Sequence, residues 1–120
     1  MTPGAPGSGE DRRGGDASGL IRVGGIADFP EGSAVPVAVG ARRIVVYRHR
    51  GAFHALKDIC PHMGEQLHKL PARGGEAVCV GHGWRFDLAS GRCVRGDPEA
   101  RVAVYPVEVR GDEVLVRIGR

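Results

Sequence analysis

Short runs of β-branched residues, separated by turns that contain glycine, recur along this chain and constrain its fold more than any other feature. No window of a dozen residues keeps a helical period, and only residues 64–70 are expected to form a helical turn. The pattern predicts an all-β domain, with strands spaced as in a sandwich or small barrel. The predicted strands cover residues 34–39, 43–48, 52–57, 77–80, 84–87, 102–109 and 113–118.

Turn residues indicate how these strands are connected. Pro36 has no backbone N–H to donate, so the strand over residues 34–39 is expected at a sheet edge. Arg110-Gly111-Asp112 separates the last two runs. The same tripeptide occurs in cell-adhesion motifs, but in a chain without a secretion signal its position favours a hairpin turn.

The first nineteen residues differ in composition from the rest. They contain six Gly, two Pro, two Ser and five charged residues, and no Val, Ile or Leu. Such a segment buries too little apolar surface to offset its ordering entropy, so residues 1–19 are predicted to be a disordered tail and residues 20–120 a single domain. Arg12-Arg13 is followed by small polar residues rather than the apolar stretch of an export signal, and no run is long enough to span a membrane. A cytoplasmic protein is expected.

The charge balance is modestly basic. The tail holds two arginines against three acids, net −1, which leaves +4 for the domain of a chain whose net charge is +3. This excess favours acidic protein partners but is too small for a nucleic-acid footprint. The densest group of basic residues consists of Arg42, Arg43, Arg48 and Arg50. We expect these side chains to lie on a solvated hairpin; the alternative is a docking surface for an acidic protein.

Two closely spaced pairs of cysteine and histidine carry the chemistry of the chain. Cys60 is followed two residues later by His62, and Cys79 three residues later by His82. Thiolate and imidazole together suit zinc or iron–sulfur chemistry and suit calcium or magnesium poorly. Structural zinc sites usually have two to four residues between paired ligands, and Cys60 and His62 have one. The spacing therefore predicts a metal centre and favours iron–sulfur without excluding zinc.

Other residues near these pairs have plainer interpretations. Cys93 is expected to be a small buried hydrophobe rather than a redox thiol, and Trp84 to pack beside the second pair rather than to bind a substrate. Leu67 either shields the site or belongs to the core, and Pro98 belongs either to a third covering loop or to an ordinary turn. Surface or turn positions are expected for His49, His54 and His68.

The two pairs and their surroundings resemble the ligand loops of Rieske-type [2Fe–2S] proteins. The matching segments are Cys-Pro-His-Met-Gly at 60–64 and Cys-Val-Gly-His-Gly-Trp-Arg-Phe-Asp-Leu at 79–88. The resemblance implies an antiparallel β-sandwich with a small cluster-binding part, about residues 58–97, that carries two ligand loops. It also implies one cluster per chain, with Cys60 and Cys79 on one iron and His62 and His82 on the other.

Departures from one branch of the family are informative. Rieske proteins of respiratory cytochrome complexes carry a disulfide between the two loops, at positions where this chain has Glu65 and Gly81. They also carry hydroxyl residues near the cluster, at positions where this chain has Trp84 and Phe86. Hydroxyl hydrogen bonds to sulfur stabilise the reduced cluster, so their loss lowers the potential. The chain thus resembles the soluble, low-potential ferredoxins of aromatic-ring-hydroxylating dioxygenases.

The function implied by this resemblance is that of a one-electron carrier. It would take electrons from a flavin-dependent reductase and pass them to a terminal oxygenase, and it would not itself be an enzyme. A second interpretation is the small Rieske-like subunit of assimilatory nitrite reductase. A third, from another class, is a structural zinc module that binds a protein partner. No membrane or nucleic-acid partner is expected.

Overall fold

The structure, a computed structural model, describes residues 19–118. Within these residues the chain forms ten strands and two 3₁₀ helices, Ile26–Asp28 and Leu67–Lys69, which agrees with the predicted all-β class. None of its helices is long and apolar enough to cross a membrane. The strands are β1 (Leu20–Gly25), β2 (Ala34–Val39), β3 (Arg42–His49), β4 (Ala52–Lys57), β5 (Glu76–Val78), β6 (Arg85–Asp87), β7 (Cys93–Arg95), β8 (Val104–Tyr105), β9 (Val107–Arg110) and β10 (Glu113–Arg117).

The two ends of the described chain form one compact unit, residues 19–28 with 105–118. Its sheet has the order β1-β10-β9, and both pairs of strands are antiparallel. Glu113 pairs with Arg110, so the predicted hairpin turn consists of Gly111 and Asp112. Val114 and Val116 of β10 are fully buried, and Leu115 between them is 8% exposed, so the middle of this strand is covered on both faces.

Residues 29–104 form the second compact unit, which contains both cysteine–histidine pairs. One sheet has the order β2-β3-β4-β8, and the other has the order β5-β6-β7. The edge position predicted for residues 34–39 is confirmed, because β2 lies at the end of its sheet. All four residues of the apolar run Ile44–Tyr47 in β3 are fully buried, so both faces of this strand are covered.

The core of the second unit contains the two predicted ligand cysteines. Cys60 and Cys79 belong to one buried cluster with Val45 and Tyr47, which lie on one face of β3. The Tyr47 hydroxyl donates to the Leu67 carbonyl at 3.3 Å, and burial raises the pKa of this phenol far above its usual range. The cluster also includes Leu56, Leu67, Ala77, Phe86, Leu88 and Val102.

Several strand boundaries differ from the prediction for local reasons. The run at residues 102–109 is divided at Pro106, which lacks a backbone N–H, into β8 and β9. The run at 77–80 ends at Val78, because Cys79 begins a turn. Two strands, β1 and β7, were not predicted; paired glycines and a bulge between Arg22 and Gly24 obscure the alternation of β1. The tail predicted over residues 1–19 falls, except for Gly19, outside the described residues.

Gly91 lies where two segments of the second unit approach too closely for any side chain. Its φ is +77°, and a Cβ there would overlap the Val102 carbonyl oxygen. The two residues are held together because the Val102 N–H donates to the Gly91 carbonyl at 2.8 Å. Gly51 provides a comparison, because its φ of +80° is similar but nothing lies within 4 Å of its added Cβ.

Gly91→Ala is expected to destabilise the protein by roughly 3 kcal/mol or more, because steric overlap adds to the left-handed strain. Gly51→Ala carries the strain alone, about 1–2 kcal/mol. Thermal unfolding of the metal-loaded proteins measures the difference, at about 4–8 °C per kcal/mol. Equal melting temperatures for the two variants would contradict the close approach at Gly91.

Candidate metal centre

The first ligand loop, residues 60–65, is closed by hydrogen bonds at its own cysteine. The Cys60 N–H donates to the Glu65 carbonyl at 2.7 Å, and the Cys60 carbonyl accepts from the Gly64 N–H at 2.8 Å. Gly64 has a φ of +79°, a conformation that glycine adopts without the cost of a Cβ. His62 stands at the third position of this turn and is exposed.

The second ligand loop, residues 79–84, connects β5 to β6 and repeats the same pattern. The Cys79 N–H donates to the Trp84 carbonyl at 2.8 Å, and the Cys79 carbonyl accepts from the Gly83 N–H at 3.0 Å. Each loop is therefore closed between a cysteine and the fourth and fifth residues after it. His82 stands at the fourth position of its turn and is exposed.

The structure groups the four predicted ligands by residue type, although the sequence pairs each cysteine with a histidine. Cys60 and Cys79 are 0% and 2% exposed, and their thiols lie within hydrogen-bonding distance of one another. The rings of His62 and His82 meet edge to face, with centroids 4.8 Å apart. Two thiol groups thus face the core and two imidazoles face the solvent.

The surroundings of the Cys60 sulfur suit a metal-bound thiolate. Burial raises the pKa of the Cys60 thiol, while the backbone N–H groups of His62 and Met63 donate to its sulfur and act in the opposite direction. A coordinated metal removes the thiol proton outright, and amide donors to sulfur then stabilise the anion. Within residues 19–118, no three His, Cys, Asp or Glu side chains converge as a single metal ion would need. A two-iron cluster instead requires two separate ligand pairs.

Trp84 joins the two loops. Its indole stacks on the His62 imidazole, with centroids 4.3 Å apart and planes 15° apart, and Phe86 lies 6.4 Å beyond it. Gly96 lies against the indole so closely that a Cβ there would overlap the Trp84 ring. The packing interpretation of Trp84 is therefore the one the contacts support, although its ring partner comes from the first loop.

The positions that carry the disulfide in respiratory Rieske proteins lie side by side here. A Cβ on Gly81 would be 3.0 Å from the Glu65 Cγ and 3.7 Å from the Cys79 sulfur. The half-buried Glu65 side chain therefore fills the space beside Gly81. The two loops meet at this point through packing instead of a covalent bond.

Asp58 and His68 lie on either side of the first ligand loop and contact one another. Asp58 is 4% exposed and is the buried charged residue of the described chain. Its carboxylate accepts the His68 backbone N–H at 2.8 Å and lies 2.6 Å from the His68 Nδ1. A buried carboxylate needs such partners, because an unpaired one would be costly. The contact between Asp58 and His68 was not predicted, since His68 was expected to be a surface or turn residue. The sequence signal for it was Asp58 itself, an acidic residue two positions before Cys60.

The remaining residues considered in the sequence analysis lie outside the ligand group. The half-buried Cys93 packs against the core, and its thiol lies 3.2 Å from the Arg95 carbonyl oxygen. Burial lowers the pKa of His54, which lies on β4 away from either loop. Leu67 is fully buried in the core cluster. Pro98 is exposed, and its segment contacts Trp84 through Gly96 instead.

Comparisons with known proteins identify this combination of fold and loops. The family model of the Rieske [2Fe-2S] domain matches residues 19–106. The chain therefore belongs to the Rieske [2Fe-2S] domain family, and its cofactor is one [2Fe–2S] cluster. The resemblance drawn from the two loop sequences is confirmed.

Several relatives are named as ferredoxin components of oxygenase systems. The one from the naphthalene 1,2-dioxygenase system of Pseudomonas aeruginosa is 27% identical over 89 residues, covering 74% of this chain and 86% of the relative. The one from the alkene monooxygenase system of Xanthobacter autotrophicus is 29% identical over 99 residues, covering 80% and 79%.

Solved structures share the fold. The ferredoxin of carbazole 1,9a-dioxygenase from Nocardioides aromaticivorans IC177 is 26% identical, with a TM-score of 0.77, and the match covers 82% of this chain and 97% of the ferredoxin. A chain in the complex of reduced oxygenase and oxidized ferredoxin in carbazole 1,9a-dioxygenase is 29% identical, with a TM-score of 0.76 and coverage of 83% and 94%. The antiparallel all-β class predicted from the sequence is thus confirmed.

Asp58→Ala is expected to lower the free energy of unfolding by about 2–4 kcal/mol, because the His68 backbone N–H loses its buried acceptor. Asp58→Asn is the matched control, since its amide oxygen still accepts that N–H and its NH₂ can donate to the neutral imidazole. Melting temperature and iron content per chain measure both effects. Wild-type stability of Asp58→Ala would contradict the role of this pair in holding the loop.

Proposed function

We propose that this protein is a one-electron carrier that receives electrons from a flavin-dependent reductase and delivers them to a terminal oxygenase. Cys60 and Cys79 bind one iron of the cluster, and His62 and His82 bind the other. The observation that carries the proposal is the grouping of the four side chains by type, with thiols buried and imidazoles exposed. The relatives that are ferredoxin components, and the oxygenase–ferredoxin complex among the similar structures, support it.

The division between buried and exposed ligands suits electron transfer. When bound, the cluster takes up and releases a single electron. The two thiolates anchor it in the core, where Leu67 and Phe86 exclude water. The exposed imidazoles are the part of the site that a partner can approach, so we infer that electrons enter and leave along the edge formed by His62 and His82.

The rest of the chain is built to hold this group, not to perform catalysis. Residues 58–97 provide the cluster-binding part of a domain that spans residues 20–120, and the reductase and oxygenase supply the remaining chemistry. Contacts in such relays are small and transient, which an exposed edge permits. The proposal places the protein in the cytoplasm and gives it no membrane or nucleic-acid partner.

His62→Ala and Cys79→Ala are each expected to abolish cluster loading, because each removes one of four ligands and metal binding is coupled to ordering of the loops. Protein purified without air and reduced with dithionite is examined by low-temperature EPR, with iron and sulfide counted per chain. Wild-type protein should give a rhombic signal with an average g value below that of all-cysteine clusters.

Two matched variants serve as controls for the ligand assignment. Cys93→Ser and His54→Ala alter the same residue types outside the ligand loops and should retain the full signal. Full iron occupancy in His62→Ala or Cys79→Ala would refute the assignment. A silent wild-type spectrum with stoichiometric zinc would refute the electron-carrier function and favour a zinc-binding module.

The midpoint potential is expected near the lower end of the Rieske range, at about −150 mV. The cause is the pair of aromatic residues, Trp84 and Phe86, that stand where hydroxyl donors raise the potential in respiratory Rieske proteins. An EPR-monitored redox titration measures it. A value near the top of the Rieske range, about +300 mV, would contradict this explanation.

A further inference from the structure

We propose that Trp84 is a positioning residue for the ligand His62, and that Gly96 fixes the indole against this imidazole. The inference rests on the proposed function, because it takes His62 as an iron ligand, and it adds two residues outside the ligand set that orient the ring. The observation that carries it is the stack of the two rings, whose centroids lie 4.3 Å apart and whose planes differ by 15°.

The ring of His62 depends on other rings for its orientation. The side chain is exposed, so the packed core does not restrict it. Within residues 19–118 its ring contacts are with His82, edge to face, and with Trp84, face to face. A metal-bound imidazole is usually oriented by a hydrogen bond from its second ring nitrogen to a carboxylate or a carbonyl. At His62 the flat contact with the indole serves this purpose, because stacked aromatic rings prefer a defined geometry.

The backbone of Trp84 is fixed independently of its ring. Its carbonyl accepts the Cys79 N–H at 2.8 Å, which closes the second ligand loop. The next residue, Arg85, begins β6, the central strand of the sheet β5-β6-β7. The indole thus extends from the frame of the second loop to a ligand of the first.

Gly96 lies opposite Trp84, just beyond the end of β7. Arg85 of β6 pairs with Arg95 of β7, so the antiparallel register places the residue before Arg85 opposite the residue after Arg95. Directly opposed residues of antiparallel strands direct their side chains to the same face of a sheet. An aromatic side chain can then lie across a glycine on the facing strand and compensate for its missing side chain.

The contact between Gly96 and the indole leaves no room for a methyl group. A Cβ on Gly96 would lie 2.5 Å from Cδ2, 2.7 Å from Cγ and 2.8 Å from Cε2 of Trp84. These three atoms belong to the five-membered ring, and their nearly equal distances place the glycine over its face. Two carbons in ordinary contact are about 3.5 Å apart. A side chain at position 96 would therefore displace the indole or its own loop by about 1 Å, and the stack on His62 with it.

Trp84 also touches the core, which defines the competing interpretation. Its ring lies 6.4 Å from Phe86, tilted by 47°, and packs against the buried cluster that contains both cysteines. If packing were its only role, a substitution would loosen both ligand loops and disturb both histidines alike. A positioning role predicts a change confined to His62. A measurement that resolves the two imidazoles separates these roles.

Electron–nuclear double resonance of the reduced, cluster-loaded protein resolves the nitrogen couplings of the two histidine ligands. In Trp84→Leu one coupling should shift or broaden and the other should stay as in the wild type, because the indole stacks on His62 alone. Trp84→Phe keeps a flat ring at this position and should retain both couplings. Equal changes in both couplings of Trp84→Leu, or in neither, would overturn the positioning role.

Gly96→Ala displaces the indole without removing it and should change the same coupling as Trp84→Leu. Loss of an outer contact to a ligand typically costs 10–100-fold in metal affinity, so both variants should release iron to a chelator about tenfold faster than the wild type. Gly51→Ala is the control, because it introduces a side chain at positive φ where nothing lies within 4 Å, and its iron release should change by less than about twofold.

The double variant Trp84→Leu/Gly96→Ala tests whether the glycine acts through the indole. It should show the nitrogen couplings of Trp84→Leu, because the ring that the alanine would displace is absent. A further change in the double variant would overturn the role of Gly96. If Trp84→Leu loads no cluster, wild-type couplings in Gly96→Ala would overturn the inference. A wild-type protein without histidine nitrogen couplings, or without a cluster, would instead refute the proposed function.

Discussion

The closure of each ligand loop by its own cysteine is the interaction on which the rest of the centre depends. Cys60 and Cys79 each use the backbone N–H and carbonyl inside a tight turn, so no polar main-chain group of theirs is left unpaired in the core. This permits both sulfurs to be buried beside one another. With the sulfurs inside, the intervening residues of each turn, His62 and His82 among them, remain at the surface.

The carboxylate beside the first loop is also buried with its hydrogen-bonding needs met. Asp58 is buried next to the first loop, where a carboxylate without partners would be unfavourable, and His68 supplies both the backbone and the ring contact. The pair closes the loop at its base.

Sequence patterns predicted the edge position of β2 and the last hairpin, because each depends on a turn or on a residue without a backbone N–H. The four ligand residues stay a prediction, which the grouping of their side chains supports. Sequence patterns did not predict β1, whose Gly24 and Gly25 conceal its alternation, or the three-residue strand β7. The grouping of cysteine with cysteine and histidine with histidine was also invisible in the spacing. It depends on how two loops face each other, which only the folded sheets determine.

The two turns share one hydrogen-bond pattern, yet their histidines occupy different positions, the third in the first loop and the fourth in the second. Their rings cross at 77° and have unlike surroundings. His62 is backed by the Trp84 indole, whereas His82 stands between glycines. The centre is therefore asymmetric towards solvent, and a molecule that approaches it meets two inequivalent imidazoles.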